Sequence, residues 1–272
     1  MSDAIFGFIG CGNMGGALAT AIGRVVGGER ILLANRTPRK AAALAEALGA
    51  QACDNARAAR ESDFLFLGVK PFMMADMLAD IHDELAARQK PCVLVSMAAG
   101  LTIATIREMA GVYFPIIRIN PNTPSAVGKG LVMVCAEGID EADPRMVAFR
   151  EAMAGAGLLD DVEERLMDAG SAVAGCGPAF AALMIEALAD GGVACGLPRA
   201  KAQMYAAQMM LGTATLALET GRHPGQLKDA VCSPGGTTIQ GVRALEKGGF
   251  RSAAFEAVIA AYEATLALAK KR

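Results

Sequence analysis

The chain has 272 residues, of which 53% are hydrophobic and 20% charged, with 26 Lys and Arg against 28 Asp and Glu. A formal net charge of −2 offers no basic field to nucleic acid or to an anionic membrane surface, and the length predicts about two domains, each able to bury a core. Seven scattered cysteines and two histidines make no CxxC pair or Cys/His cluster, so no metal site or disulfide framework is expected, and reduced thiols predict a cytoplasmic protein.

The first strand is predicted over 5–10, and Gly10, Gly12 and Gly15 then form G-x-G-x-x-G at the start of a helix over 13–26. Gly10 permits the tight turn, Gly12 lets a pyrophosphate approach the backbone, and Gly15 lets the helix pack on the strand. Cys11, Asn13 and Met14 complete the loop and belong to the same candidate coenzyme site. A second strand over 30–35 ends at Asn35, Arg36 and Thr37, with Lys40 one turn later. An NAD site usually carries Asp or Glu here to accept from the ribose 2′-hydroxyl. An amide, a guanidinium and a hydroxyl suit a 2′-phosphate instead, so NADPH is expected and NADH is the weaker alternative. A solvated arginine before a Thr-Pro helix start is the plainer account of the same residues.

The alternation continues with a helix over 38–48, Asn55 as a candidate contact for the adenosine side, and an almost wholly apolar strand over 63–69. Val69, Lys70 and Pro71 leave that strand at the carboxyl edge of the sheet, where doubly wound folds bind ligands. A helix over 71–87 follows, then a strand over 91–97 that ends in the same way at Ser96, Met97 and Ala98, whose small neighbours permit close passage of a coenzyme. A helix over 102–110, strands over 113–119 and 130–135, and a helix over 141–156 complete a doubly wound, Rossmann-type α/β domain assigned to 1–159.

From 160 to 272 the strand signal disappears. Helices are predicted over 162–174, 178–195, 198–220, 224–231, 237–248 and 251–270, giving an all-helical second domain. Between 169 and 218 the only charged residues are Glu186, Asp190, Arg199 and Lys201, so these helices are apolar nearly all round and require cover. The uncharged runs fall short of the roughly 20 residues of a membrane span and include Gly, Pro, Ser or Gln. A second copy is the expected cover, making at least a homodimer, with the methionines at 184, 204, 209 and 210 filling core and interface. Between two of these helices lies Ser233-Pro-Gly-Gly-Thr-Thr238. Gly235 and Gly236 cannot block approach, so first-turn N–H groups can face a carboxylate, and Thr237 and Thr238 add hydroxyls at the rim. A plain helix cap after a Pro-Gly turn is the alternative.

These pieces, taken in order, resemble the pyrroline-5-carboxylate reductases. The resemblance rests on Gly7 to Gly15, Asn35 to Thr37, Val69 to Pro71, Ser96 to Gly100, Arg118 to Pro124, Gly175 to Phe180, Ala189 to Gly192, Gly196 to Arg199 and the signature-like stretch 223–246, and it runs from the first strand to the last helix. It implies NADPH-dependent reduction of a small cyclic imino acid, 1-pyrroline-5-carboxylate, to L-proline, with a carboxylate pocket shared across a dimer. For that substrate the backbone N–H groups of Gly235, Gly236 and Thr237, with Ser233 nearby, are expected to hold the carboxylate and the Thr238 hydroxyl to bond the ring nitrogen. The resemblance adds Glu164 as a further polar contact, which otherwise reads as one of a solvated pair with Glu163. Three residues depart from the usual pattern. Asn120 stands where Met is usual, Cys176 where Ser is usual, and Met97 where a smaller apolar residue is usual. The Asn120 amide could bond a ring substituent that proline lacks, or simply start an Asn-Pro turn.

Two other functions stay open at this level. A β-hydroxyacid dehydrogenase would share both domains but needs a lysine acid from the helical half, where the only lysine well inside the apolar stretch is Lys201, next to a Pro-Arg helix start and expected to be exposed. A non-catalytic NADPH sensor would use the same turn to regulate a partner. His223, before Pro224, reads as a turn cap or a catalytic group.

Overall fold

The computed structural model describes residues 3–270. By packing, the chain forms two compact units: one runs up to Gly175 and includes the chain from Tyr262 onward, and the other is Cys176–Ala261.

The first unit is built on an eight-stranded sheet. In chain order it contains β1 (Phe6–Ile9), α1 (Asn13–Val26), β2 (Ile31–Ala34), α2 (Pro38–Leu48), β3 (Gln51–Ala52), α3 (Asn55–Glu61), β4 (Phe64–Leu67), α4 (Met74–Asp80), α5 (His82–Ala86) and β5 (Val93–Ser96). Then come α6 (Ile103–Ala110), β6 (Ile116–Pro121), β7 (Gly130–Glu137), α7 (Pro144–Met153), β8 (Gly157–Asp161) and α8 (Met167–Gly170). The strand order is β3-β2-β1-β4-β5-β6-β7-β8, parallel as far as β6, with β7 antiparallel to β6 and β8 parallel to β7. The first six positions have the 3-2-1-4-5-6 order of a dinucleotide-binding sheet, whose topological switch point falls between β1 and β4.

Every residue of β1, β2, β4 and β5 is buried, which is why these strands read as continuous apolar runs without alternation. Side chains divide between two cores. On one face Phe6 stacks on Phe64 at 5.0 Å and Phe8 on Phe66 at 4.5 Å, with Leu18, Ile22 and Phe149 closing over them from α1 and α7. On the other, Leu65, Leu67, Leu94 and Ile116 pack under Met74, Leu78, Ile103 and Ile106 from α4 and α6.

Several predicted elements are corrected. The expected 71–87 helix is a 3₁₀ turn, Pro71–Met73, followed by α4 and α5, which part at Ile81. The 113–119 strand starts only after Pro115 and runs on to Pro121. β3, α3 and β8 were not predicted, although α3 has a legible cap: the Asp54 carboxylate accepts from the Arg57 N–H at 2.7 Å. The 162–174 helix is a 3₁₀ turn at Glu164–Leu166, then α8, then a π-helical turn over Ser171–Gly175.

The second unit is helical, with α9 (Gly177–Ala194), α10 (Arg199–Thr220), α11 (Pro224–Ala230) and α12 (Thr237–Lys247), and α13 (Phe250–Lys270) begins within it. Its buried residues in the single chain are Ala189, Ala202 and Ala206. Leu183, Met204, Met209, Leu211 and Leu218 are exposed, Leu218 to 80%. The stretch Glu164–Ala194 is long and apolar enough to cross a membrane by length and composition, and 11% of its apolar window is buried.

Candidate functional site

The glycine loop after β1 is shaped by contacts that only glycine permits. Gly10 sits at φ +103°, its N–H donates to the Ala34 carbonyl at 2.8 Å, and a methyl group there would strike the Gly68 backbone. Gly15 lies so close to the Gly10 carbonyl oxygen that any side chain would overlap it, and this seats α1 on β1. Gly12 differs from both. It caps α1 without a side-chain bond, is exposed, and a methyl built on it would meet nothing within 4 Å. Its bareness leaves the space in front of it open, where backbone N–H groups and the helix dipole can receive an anion.

That space continues into a cavity of about 660 Å³ lined by Gly10, Gly12, Asn35, Arg36, Thr37, Lys40, Asn55, Val69 and Lys70, among others. A second hollow of about 680 Å³ is lined by Asn35, Arg36, Pro38, Cys53, Asn55 and Asp80, among others. The two share Asn35, Arg36, Asn55 and Asp80. Arg36 and Lys40 are exposed and form no ion pair with a described residue, and the Thr37 hydroxyl makes no cap bond to α2. A guanidinium, an ammonium and a hydroxyl therefore stand uncommitted at the end of β2, as a 2′-phosphate requires.

Asn35 is otherwise engaged. Its Oδ1 accepts from the Cys11 N–H at 3.1 Å and its Nδ2 donates to the Thr37 carbonyl at 3.1 Å. Asn35 and Cys11 thus shape the loop, and the Cys11 N–H is not available to a phosphate. The Cys11 thiol points inward to the Ala34 carbonyl at 3.4 Å, and burial, reinforced by Cys53, pushes it up to about 11. Asn13 and Met14 occupy the first turn of α1, exposed and half-buried respectively. Pro71 opens the 3₁₀ turn beyond Lys70. Ser96 ends β5 fully buried, with the Ala98 N–H donating to its Oγ at 3.3 Å, while Met97 is half-buried. Phe72, Met73, Asp76 and Met77 also line the cavity, and sequence reasoning missed them. The only available signal was Phe72, an aromatic directly after the Lys-Pro strand end, which is 81% exposed.

Glu164 is already engaged within the sheet unit. Its Oε1 accepts from the Ile103 N–H at 2.7 Å, in the first turn of α6, and from Arg118 at 3.2 Å, while Asp168 receives the other end of the same guanidinium at 2.8 Å. Arg118 is only 4% exposed, so these carboxylates neutralise a buried charge. Glu164 links β6 to the N-terminus of α6, a role that a pattern of neighbouring acids in sequence cannot reveal.

In the helical unit the turn before α12 has its own geometry. Gly235 adopts φ +69°, a left-handed conformation suited to glycine. The Gly236 N–H donates to the Ser233 carbonyl at 3.0 Å, and a side chain on Gly236 would overlap Ser233 Oγ. The Gly236 donor is therefore committed to the turn. α12 has no side-chain cap, and Thr237 and Thr238 are exposed, so the donors open to an anion are the first-turn N–H groups of Thr237, Thr238 and Ile239. His223 is a cap: its Nδ1 accepts from the Gly225 N–H at 3.1 Å.

Comparison with known proteins supplies the remaining step. Residues 164–268 match the family model "Pyrroline-5-carboxylate reductase dimerisation", and residues 5–100 match "NADP oxidoreductase coenzyme F420-dependent". The chain is 48% identical to the pyrroline-5-carboxylate reductase of Synechocystis over 80% of this chain and 79% of that protein. It is 40% identical to the Escherichia coli reductase over 97% of this chain and 98% of that one. A Plasmodium falciparum pyrroline carboxylate reductase crystallised with NADP bound superposes with a TM-score of 0.86 at 30% identity, covering 99% of both chains. An open phosphate loop, an uncommitted cationic strand end and an uncapped glycine turn thus occur in a chain that matches such enzymes along nearly its whole length: it belongs to the pyrroline-5-carboxylate reductase family.

Proposed function

We propose that the protein reduces 1-pyrroline-5-carboxylate to L-proline with NADPH, the last step of proline biosynthesis. The observation that carries this reading is the uncapped N-terminus of α12 behind Gly235 and Gly236, with exposed hydroxyls at Thr237 and Thr238, in a chain aligned end to end with pyrroline-5-carboxylate reductases.

NADPH, when bound, supplies the hydride. The first-turn N–H groups of α1 beyond Gly12 take its pyrophosphate, Arg36, Lys40 and Thr37 take the 2′-phosphate, and Asn55 lies on the adenosine side. Val69, Lys70, Pro71, Ser96, Met97 and Ala98 frame the other end along the carboxyl edge of the sheet. The N–H groups of Thr237 and Thr238 receive the substrate carboxylate, aided by the dipole of α12, with Ser233 and the two glycines shaping the turn. The Thr238 hydroxyl hydrogen-bonds the ring nitrogen. Fixing a rigid five-membered ring at two points captures much of the entropic advantage of approach. A protonated imine brings its own proton, so Thr238 has only to orient the nitrogen, and no His/Asp pair is required.

The coenzyme role is assigned to 1–159 and the imino-acid and dimerisation role to 160–272. The protein is a homo-oligomer, at least a dimer, because the helical unit leaves Leu183, Leu211 and Leu218 uncovered in one chain. Seven free cysteines fit a reducing cytoplasm, and neither nucleic acid nor membrane is among the proposed partners.

The test is a spectrophotometric assay. NADPH absorbance is followed with 1-pyrroline-5-carboxylate, then with the 2-carboxylate isomer and a six-membered analogue. Turnover is expected to be fastest with the first, and absence of turnover with all three would overturn the proposal.

A further inference from the structure

The carboxyl edge of the sheet holds a polar niche that neither the phosphate grip nor the glycine turn uses. Asn120 is the penultimate residue of β6, two places beyond Arg118 and therefore on the same face of the strand. It stands over the π-helical turn Ser171–Gly175, where a methyl placed on Gly175 would lie 3.0 Å from Ser171 Oγ and 3.5 Å from Asn120 Oδ1. Two polar side chains thus converge on a residue that has no side chain.

The half-buried Asn120 carboxamide has no hydrogen-bond partner among the described residues. Its neighbours at the same edge are engaged. Asn122 donates to the Ala174 carbonyl at 3.1 Å and accepts from the Leu131 N–H at 3.0 Å, Ser96 accepts from Ala98, and Arg118 is held by Glu164 and Asp168. Partial burial removes some of the water that would satisfy an amide, which favours a ligand that replaces it. Single π turns within helices recur at functional sites.

We propose that Asn120 orients the coenzyme, its carboxamide pairing with the carboxamide of the nicotinamide ring. The inference rests on the NADPH reading above. A doubly wound sheet consists of two mononucleotide-binding halves. The half made of β1, β2 and β3 carries Gly12, Arg36 and Asn55, the phosphate and adenosine grip. The half made of β4, β5 and β6 therefore receives the nicotinamide end at its carboxyl termini, and β6 terminates at Asn120 and Pro121. A primary amide offers one acceptor and an N–H₂ donor, the complement of the ring's own amide. Holding that group sets which ring face turns toward the imine, because rotation about the glycosidic bond would carry the carboxamide out of the niche.

The test is calorimetric titration, without any imine, of wild type and of Asn120→Met with NADP⁺ and with its 3-acetylpyridine analogue, in which a methyl ketone replaces the carboxamide and the N–H₂ donor is lost. Met suits the control because it is the usual residue here in the resembling motif, and Asn120→Ala serves as a second variant should Met disturb folding. Wild type is expected to bind the analogue about five-fold more weakly than NADP⁺, the worth of one hydrogen bond. The variant should bind NADP⁺ about five-fold more weakly than wild type and distinguish the two coenzymes by less than about two-fold. Equal discrimination in wild type and variant, or unchanged NADP⁺ affinity in the variant, overturns the pairing while leaving the reductase reading intact. Failure of wild type to bind NADP⁺ overturns the coenzyme reading and the pairing with it. If the variant keeps its coenzyme discrimination but shifts the kcat/KM ratio between plain and hydroxyl-bearing cyclic imines, Asn120 contacts substrate and the pairing is wrong.

Discussion

The sheet unit and the helical unit bury their apolar residues in different ways. In the sheet unit each central strand is buried on both faces, and large side chains such as Phe8, Phe66 and Phe149 are fully enclosed. In the helical unit the enclosed residues are three alanines, while leucines and methionines such as Leu183, Met204, Leu211 and Leu218 remain in contact with solvent. One core is complete within a chain and the other requires cover. The difference teaches where stability should depend on concentration: anything that binds only the assembled state, including a second copy, stabilises by mass action.

The largest effect tests the self-contained core. Phe66→Ala removes a ring stacked on Phe8 at 4.5 Å, next to Phe149, and should cost about 3–5 kcal/mol of unfolding free energy in urea, at any protein concentration. A loss below about 1 kcal/mol would mean that the sheet core is not the cooperative centre. Next, Leu211→Glu places a charge on an exposed apolar position of α10. With two copies affected in a symmetric dimer, the dissociation constant should rise by about 100-fold or more, read by sedimentation, and unchanged mass at micromolar concentration would remove α10 from the interface.

Thr238→Ala then addresses function in the helical unit. We expect kcat/KM for the imine to fall by about 30-fold, with KM for NADPH within about two-fold of wild type. An equal loss in both parameters would contradict the separation of roles. Its counterpart in the sheet unit is Arg36→Ala, which should raise KM for NADPH by about ten-fold and leave that for NADH nearly unchanged.

The smallest expected effect concerns pH. Burial pushes the thiol of Cys92, at the entry to β5, up to about 11 from an ordinary value of 9.0. A thiol kept neutral by the fold contributes stability that is whole below about pH 9 and lost as pH rises through about 11. Between pH 8 and 10 wild type should therefore lose more urea resistance than Cys92→Ala, by about 1 kcal/mol. Parallel loss in both proteins would assign the alkaline weakening to other groups.

Much of the fold was legible because its signals are local. Apolar runs beside a glycine or a proline mark β1, β4 and β5, and Pro38 marks a helix start that the structure keeps, while α7 begins at Pro144, three residues later than expected. Two of the three elements that escaped, β3 and β8, are strands at the edges of the sheet with residues exposed to solvent, so they lack the continuous burial that makes the central strands readable. The break at Ile81 and the π turn at Ser171–Gly175 interrupt stretches whose composition is helical throughout.

For the sites, spacing pointed to the glycines, to the charge at the end of β2 and to the Gly-Gly-Thr-Thr turn before α12, and the resemblance added which carboxylate that turn would receive. What a side chain does with its hydrogen bonds was a different matter. Asn35 and Glu164 are polar residues at plausible places, but Asn35 is bound to the Thr37 carbonyl beside it and to the Cys11 N–H 24 residues away, and Glu164 to Arg118 and the Ile103 N–H, respectively 46 and 61 residues away. Asn120 is a polar residue of the same kind, but its carboxamide has no hydrogen-bond partner among the described residues.

The order of residues alone thus determined which segments would be buried strands, which turn could approach a phosphate and which helices would lack cover, since each follows from side-chain size, polarity and period within a few residues. Only the tertiary structure decided which donors and acceptors were already paired. A hydrogen bond is satisfied by whatever lies within about 3 Å, and folding brings those partners from distant parts of the chain.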